Sequence, residues 1–221
     1  MKFVIKDLCK KIKNELILNN VNVEFNSSNI YGIIGGGEKR IFLKLLCSFC
    51  SPDSGYILQD DYNYTKSKEF PKNTRIYLGG ENFFEELTGY ENLKRISQIE
   101  NKITDKDIDL ALKDVFLYDS KNVKYKKYLM DRRNKLGIAA VLMEKPKCII
   151  LDEPFNSMER EDVEQIKNVL TKLKEDDCLV IVASYVKEEI YDFCDKIFEF
   201  NNGKLIEKEW LVNFFSLLFW I

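Results

Sequence analysis

Histidine is absent from the 221 residues. That excludes every mechanism needing an imidazole base and every His-ligated metal site. Long apolar runs are missing too: no uninterrupted stretch approaches the roughly 20 residues of a membrane span. The N-terminus, Met1-Lys-Phe-Val-Ile-Lys-Asp7, reaches a charge too soon to hold the apolar stretch of a secretory leader. Neither charge sign dominates, with 34 Lys plus Arg against 36 Asp plus Glu, so no basic surplus points to nucleic acid. The six cysteines are too few and too scattered for a disulfide scaffold. The chain is therefore expected in the cytoplasm with reduced thiols.

What is present describes a globular chain. Hydrophobic residues make up 45% and charged residues 32%, enough apolar material for a sizeable core. The length fits one domain, with or without a subdomain. Cys47 and Cys50 form a CxxC that reads as a redox pair, as half a metal site, or as two small apolar residues on one helix face. With no second CxxC and no histidine, the last is favoured. The segment Trp210–Ile221 is apolar nearly all round and too short to span a bilayer. It could pack on the domain, bury in a partner or lie at a membrane surface, packing being favoured.

Periodicity orders the elements. Val21, Val23 and Phe25 alternate with polar residues, as in a half-buried strand. Tyr31–Ile34 is a short apolar strand running into Gly35-Gly36-Gly37, and Lys39–Phe49 then carries apolar residues at helical spacing. Ser51-Pro-Asp-Ser-Gly55 is a turn, and Arg75–Leu78 a strand. Residues 88–142 read mostly as helix, with Thr104 and Asp107 as a capping box. Cys148–Leu151 and Leu179–Ala183 are continuous apolar strands, followed by helices over 159–173 and 186–193. Asn201-Asn-Gly203 closes a hairpin.

Strand, Gly-rich turn and helix, followed by buried strands ending in acids, predict an α/β fold with a mostly parallel sheet. Ligands in such sheets sit beyond the carboxyl ends of the strands. Gly35–Gly37 and Asp152-Glu153 both fall at such ends, so they are expected to share one crevice.

Two longer segments carry a family resemblance. One runs from Tyr31 to Leu46 and is followed by Ser51–Gly55; the other runs from Leu136 to Pro154. Together they resemble the nucleotide-binding subunit of an ABC transporter, over nearly the whole chain up to the apolar tail. The Leu-Thr-Gly-Tyr-Glu-Asn-Leu at Leu87–Leu93 leans toward exporters of the bacitracin-resistance and lantibiotic self-protection type. The resemblance implies a P-loop NTPase-like sheet with an antiparallel β portion. It also implies a single nucleotide-binding domain over residues 1–209, with a helical subdomain at about 83–142 and the tail at 210–221. ATP and Mg²⁺ are the implied cofactors. The implied partners are integral membrane permease subunits and a second nucleotide-binding subunit, identical or not. The implied place is peripheral, at the inner face of the cell membrane.

Residue by residue the resemblance is uneven. The phosphate loop pattern is G-x-x-x-x-G-K-[ST]. Lys39 aligns with its Lys, but Gly35 stands four residues before it, where the pattern's first Gly stands six before. Gly35, Gly36, Gly37, Lys39 and Arg40 are the candidate nucleotide-binding residues. Glu38 replaces the last Gly, and Arg40 replaces the hydroxyl that would hold Mg²⁺. The Asp-Glu pair is kept: Asp152 is the implied Mg²⁺ residue and Glu153 the implied water-polarising carboxylate. Glu81 matches the loop residue offered to Mg²⁺. The LSGGQ-like signature falls on Leu129, Met130 and Asp131, with Leu129 where a Ser belongs. Tyr185 stands at the switch histidine position, and Ile12 near the adenine-stacking aromatic. The reading is an ATP-binding subunit by fold with weakened or lost ATP binding and hydrolysis. The alternatives are an active ATPase driving export of a peptide or drug, and a non-hydrolytic adaptor that regulates membrane transporter subunits.

Overall fold

Two sheets organise the chain in a computed structural model that describes residues 1–65, 69–80, 83–99 and 102–208. The first sheet is antiparallel. Its strands are β1 (Lys2–Ile12), β2 (Glu15–Asn26), β4 (Ser54–Gln59) and β5 (Tyr62–Asn63), in the order β2-β1-β4-β5. The second contains β3 (Asn29–Ile34), β6 (Thr74–Tyr77), β7 (Cys148–Asp152), β8 (Leu179–Ser184), β9 (Lys196–Asn201) and β10 (Lys204–Lys208), in the order β10-β9-β3-β8-β7-β6. All its pairings are parallel except the β9–β10 hairpin.

The parallel strands are buried on both faces, which explains their unbroken apolar sequences. Side chains alternate across the sheet. On one face Ile33, Ile150 and Ile181 pack with Phe25 and with Phe42 of α1 (Gly37–Leu46). On the other, Ile30, Ile149, Leu151 and Val180 pack with Ile166 and Leu170 of α5 (Arg160–Glu175). The same cluster takes in Leu93 of α2 (Gly89–Ser97), Leu112 of α3 (Asp105–Asp114) and Leu136 of α4 (Met130–Leu142). Capping boxes start α2 at Thr88/Glu91 and α3 at Thr104/Asp107. Among the described residues no helix is long and apolar enough to cross a membrane.

Three sequence expectations are corrected. The first helix ends at Leu46, because Ser48 takes a positive φ of 58° just beyond it. Cys47 is therefore the C-cap, Cys50 lies past the helix, and the CxxC does not share a helix face. Cys47 is buried, which pushes its thiol up, and all six cysteines are free. The helix expected over 186–193 is only α6 (Glu188–Tyr191). Its start is delayed because the Val186 N–H donates to Ser184 Oγ at 2.9 Å, closing a local turn instead. The region 88–142 is broken between α3 and α4 by single 3-10 turns at Tyr118–Ser120 and Tyr125–Lys127. The tail Trp210–Ile221 and Glu81 lie outside the described residues.

Gly137 marks where α4 meets the sheet. A Cβ there would overlap the buried Tyr77 ring, with Cδ2 at 2.6 Å. The Tyr77 hydroxyl donates to Asn134 Oδ1 at 2.7 Å, so the ring cannot move without breaking a buried hydrogen bond. Gly137→Ala is expected to destabilise by about 2–4 kcal/mol, from overpacking plus the disturbed bond. Urea unfolding followed by circular dichroism checks it.

Candidate functional site

The carboxyl ends of β3, β7 and β8 converge on one group of side chains. Gly35 and Gly36 alone separate β3 from α1. Gly36 is the N-cap, with φ −81° and ψ −137° and no side-chain cap bond. Gly36 and Gly37 are exposed, whereas Gly35 is half-buried against Phe200. The Glu38 carboxylate folds back over Gly36, with Oε2 2.9 Å from where a Cβ would stand. An acidic side chain thus sits at the positive end of α1.

Lys39, in the first turn of α1, points the other way, under the strand ends. It is 1% exposed. Its Nζ lies 2.9 Å from Asp152 Oδ1, also pairs with the Glu153 carboxylate, and sits 3.8 Å from the centre of the Tyr185 ring. Arg40 reaches the same aspartate from outside, with Nε 3.3 Å from Asp152 Oδ2, and its Nη2 donates to the Leu78 carbonyl at 2.6 Å. Both oxygens of Asp152, the last residue of β7, therefore face cations.

Glu153 turns the chain at a positive φ of 51°, held by its N–H donating to the Ala183 carbonyl at 2.8 Å. A left-handed conformation at a non-glycine residue is costly, so neighbouring contacts must hold it. Glu153 Oε1 accepts from the Tyr185 N–H at 2.9 Å, and Oε2 lies 3.3 Å from Ser184 Oγ. The same hydroxyl lies 2.9 Å from Glu189 Oε2. Burial pushes the Glu189 carboxyl up from its ordinary value. Ser184 and Glu189 were not singled out in the sequence. Ser184 is a strand-end hydroxyl that no motif marks, and Glu189 belongs to a run of acids indistinguishable from a solvated face.

The structure thus brings Lys39, Arg40, Asp152, Glu153 and Tyr185 together. It does not bring Leu129, Met130 or Asp131 to them: no hydrogen bond or ion pair joins the two sets among the described residues. Leu129 is the N-cap of α4 and is 74% exposed; Met130 is 55% exposed. They stand at the same end of the sheet. Met130 shares a cavity of about 170 Å³ with Tyr77 and Gly80, and Asn134 Nδ2 donates to the Asn156 carbonyl at 2.5 Å, just beyond Glu153. Ile12 is half-exposed at the end of β1. No group of three or more His, Cys, Asp or Glu that could hold a metal ion occurs among the described residues. A larger cleft of about 550 Å³ opens beside edge strand β6, lined by Tyr77, Phe83, Phe84, Ile96 and Ile99 with Arg75 and Glu144.

Comparison with known proteins gives one answer. The family model described as ABC transporter matches residues 18–156. An uncharacterized ABC transporter ATP-binding protein, YybJ of Bacillus subtilis, is 30% identical over 93% of this chain and 95% of its own. The bacitracin transport ATP-binding protein BcrA of Enterococcus faecalis is 28% identical over 94% of this chain and 70% of its own. The lantibiotic transport ATP-binding protein SrtF of Streptococcus pyogenes is 26% identical over 93% and 90%. Among solved structures, a dimeric bacterial ABC transporter cassette superposes with a TM-score of 0.82 at 19% identity, over 94% of this chain and 98% of that one. An ATP-binding subunit of an ABC transporter gives 0.82 at 16%, over 94% and 90%.

Proposed function

This chain belongs to the ABC transporter family, and from that premise we propose that it is an ATP-binding-type subunit whose nucleotide binding and hydrolysis are weakened or lost. The observation that carries this reading is the burial of Lys39 between Asp152 and Glu153 beneath Tyr185. A phosphate-binding lysine must offer its ammonium to the β/γ oxygens. Here the ammonium is already neutralised, and the residues that would hold Mg²⁺ neutralise it.

The rest of the residue set fits Mg-ATP poorly as well. Only Gly35 and Gly36 separate strand from helix, so few backbone N–H groups are available to wrap a phosphate. Glu38 holds a negative charge where the anion would sit. Arg40 has no hydroxyl for the metal, and Asp152 already faces two cations. Purified protein is expected to bind Mg-ATP no tighter than millimolar in titration calorimetry; micromolar binding would overturn the reading. The intact Asp152-Glu153 pair supports a second reading, an active ATPase driving export of a peptide or drug, and micromolar binding would favour it.

The expected partners are membrane permease subunits and a second nucleotide-binding-type subunit, with the chain peripheral at the inner face of the membrane. The relatives transport bacitracin and lantibiotics by name, which makes peptide export the substrate class to test. The apolar cleft beside β6, with Phe84 57% and Ile99 82% exposed, is the surface suited to a membrane partner.

A further inference from the structure

A groove between α3 and α5 opens at the end of the sheet opposite Lys39. It holds about 380 Å³ and is bordered by Lys147, just before β7, and Cys178, just before β8. Leu110 and Ala111 of α3 form one wall, and Val169 and Leu173 of α5 the other. Leu142 and Met143, at the end of α4, form the floor. Leu110 is 42% exposed, and Val169 and Leu173 are half-buried. The charges stand at the rim: Lys145, Lys147 and Asp176 are all exposed. Apolar walls inside a charged rim are the anatomy of a surface that another segment covers.

Strand β10 aims the chain at this end of the sheet. It runs antiparallel to β9, which is parallel to β3 and, through β3, to β8. Its last residue, Lys208, lies in one row with Ile197, Gly32 and Val182. Ile197 belongs to the cluster on the α5 side, so Lys208 and Ile206 face that side as well. Ile206 is 43% exposed there. From Lys208 the groove is three strand spacings across the sheet and four residues down it, about 20 Å away. Residues 209–221 reach about 40 Å when extended, which is ample. The cleft beside β6 is five spacings away, at the opposite edge of the sheet.

We propose that Trp210–Ile221 fills the groove between α3 and α5 of its own chain. The segment contains no charged residue and only Asn213 and Ser216 as polar ones. The groove matches it, since the rim charges stay in water while the walls and floor take apolar side chains. Connection through β10 gives the segment a high effective concentration at this groove, an advantage that a second copy or a lipid surface lacks. Seated there, it bridges α3 and α5 and holds α3 against the sheet. The inference does not depend on whether nucleotide is held.

Tryptophan fluorescence of the full chain tests it. The two tryptophans of the chain, Trp210 and Trp220, both lie in this segment, so the emission reports it alone. In lipid-free solution the emission should be blue-shifted and protected from acrylamide, relative to the urea-unfolded chain, and independent of protein concentration. Leu110→Lys and Val169→Glu each place a charge on one wall and should return both readings toward the unfolded values. Asp107 and Asp114 flank the first change and Lys172 the second at helical spacing, so both variants should fold, which circular dichroism checks. Phe84→Lys, in the cleft beside β6, should leave the emission unchanged. Tryptophans as exposed as in urea overturn the proposal, as does emission indifferent to both groove variants or altered by Phe84→Lys. Protection that grows with protein concentration assigns the segment to a second copy and overturns it. Protection that appears only with phosphatidylglycerol vesicles, with quenching by brominated acyl chains, assigns it to lipid and also overturns it.

Discussion

Lys39→Met should destabilise the folded protein by about 3–5 kcal/mol, the cost of breaking a buried ion pair by removing one partner. Methionine keeps the length and apolar stem of the lysine, so packing changes little. What changes is charge. The Asp152 carboxylate, 3% exposed, keeps only Arg40 at 3.3 Å, and Glu153 keeps only its hydrogen bonds to Tyr185 and Ser184. For a chain of this size the loss corresponds to a fall in Tm of roughly 6–20 °C. Combining Lys39→Met with Asp152→Asn and Glu153→Gln should return most of the stability, because no buried charge is then left alone. Denaturant unfolding of the single and triple variants measures both. A Lys39→Met cost below about 1 kcal/mol would mean that Lys39 is not bound to these carboxylates and is free to meet a phosphate.

Rebuilding the loop should raise Mg-ATP affinity at least a hundredfold. The variant inserts two residues between Gly35 and Gly36 and carries Glu38→Gly and Arg40→Ser, restoring the length, the glycine and the hydroxyl of the phosphate-loop pattern. A carboxylate about 4 Å from a phosphate costs on the order of 4 kcal/mol per unit charge at an effective dielectric near 20. That is close to a thousandfold in affinity. Glu38 is half-exposed, so solvent screening reduces its share, and roughly a hundredfold remains. The phosphates would then give Lys39 an alternative to Asp152 and Glu153, and the serine would give Mg²⁺ a ligand in place of Arg40. Titration calorimetry on the parent and rebuilt proteins reads the ratio directly. An unchanged affinity would place the defect elsewhere, with Tyr185 over the lysine as the next residue to replace.

Much of the architecture was legible in local sequence. Cys148–Leu151 and Leu179–Ala183 are unbroken apolar runs because strands buried on both faces have no polar side to show. Thr104 and Asp107 cap α3 through bonds spanning three residues, which a local pattern can report. The position of Gly35–Gly37 and Asp152-Glu153 at strand ends followed from order alone, since ligands and loops gather at the carboxyl ends of parallel strands. Strand β1 was harder to read: register shifts at Ile5/Leu8 and Leu8/Lys10, with Asp7 at a φ of 48°, break the alternation that marks a strand.

What tertiary structure decided was which charges meet. Lys39 and Asp152 are 113 residues apart in sequence and 2.9 Å apart in space. Nothing local distinguishes a lysine that faces phosphate from one that lies under two carboxylates and a phenol ring. The contact between Ser184 Oγ and Glu153 Oε2, 31 residues apart in sequence, was likewise settled by long-range packing. Periodicity and capping act within a few residues, so sequence determined the elements and their order. Ion pairing depends on distance in space, so only the assembled sheet determined that the candidate phosphate lysine is held by the chain's own carboxylates.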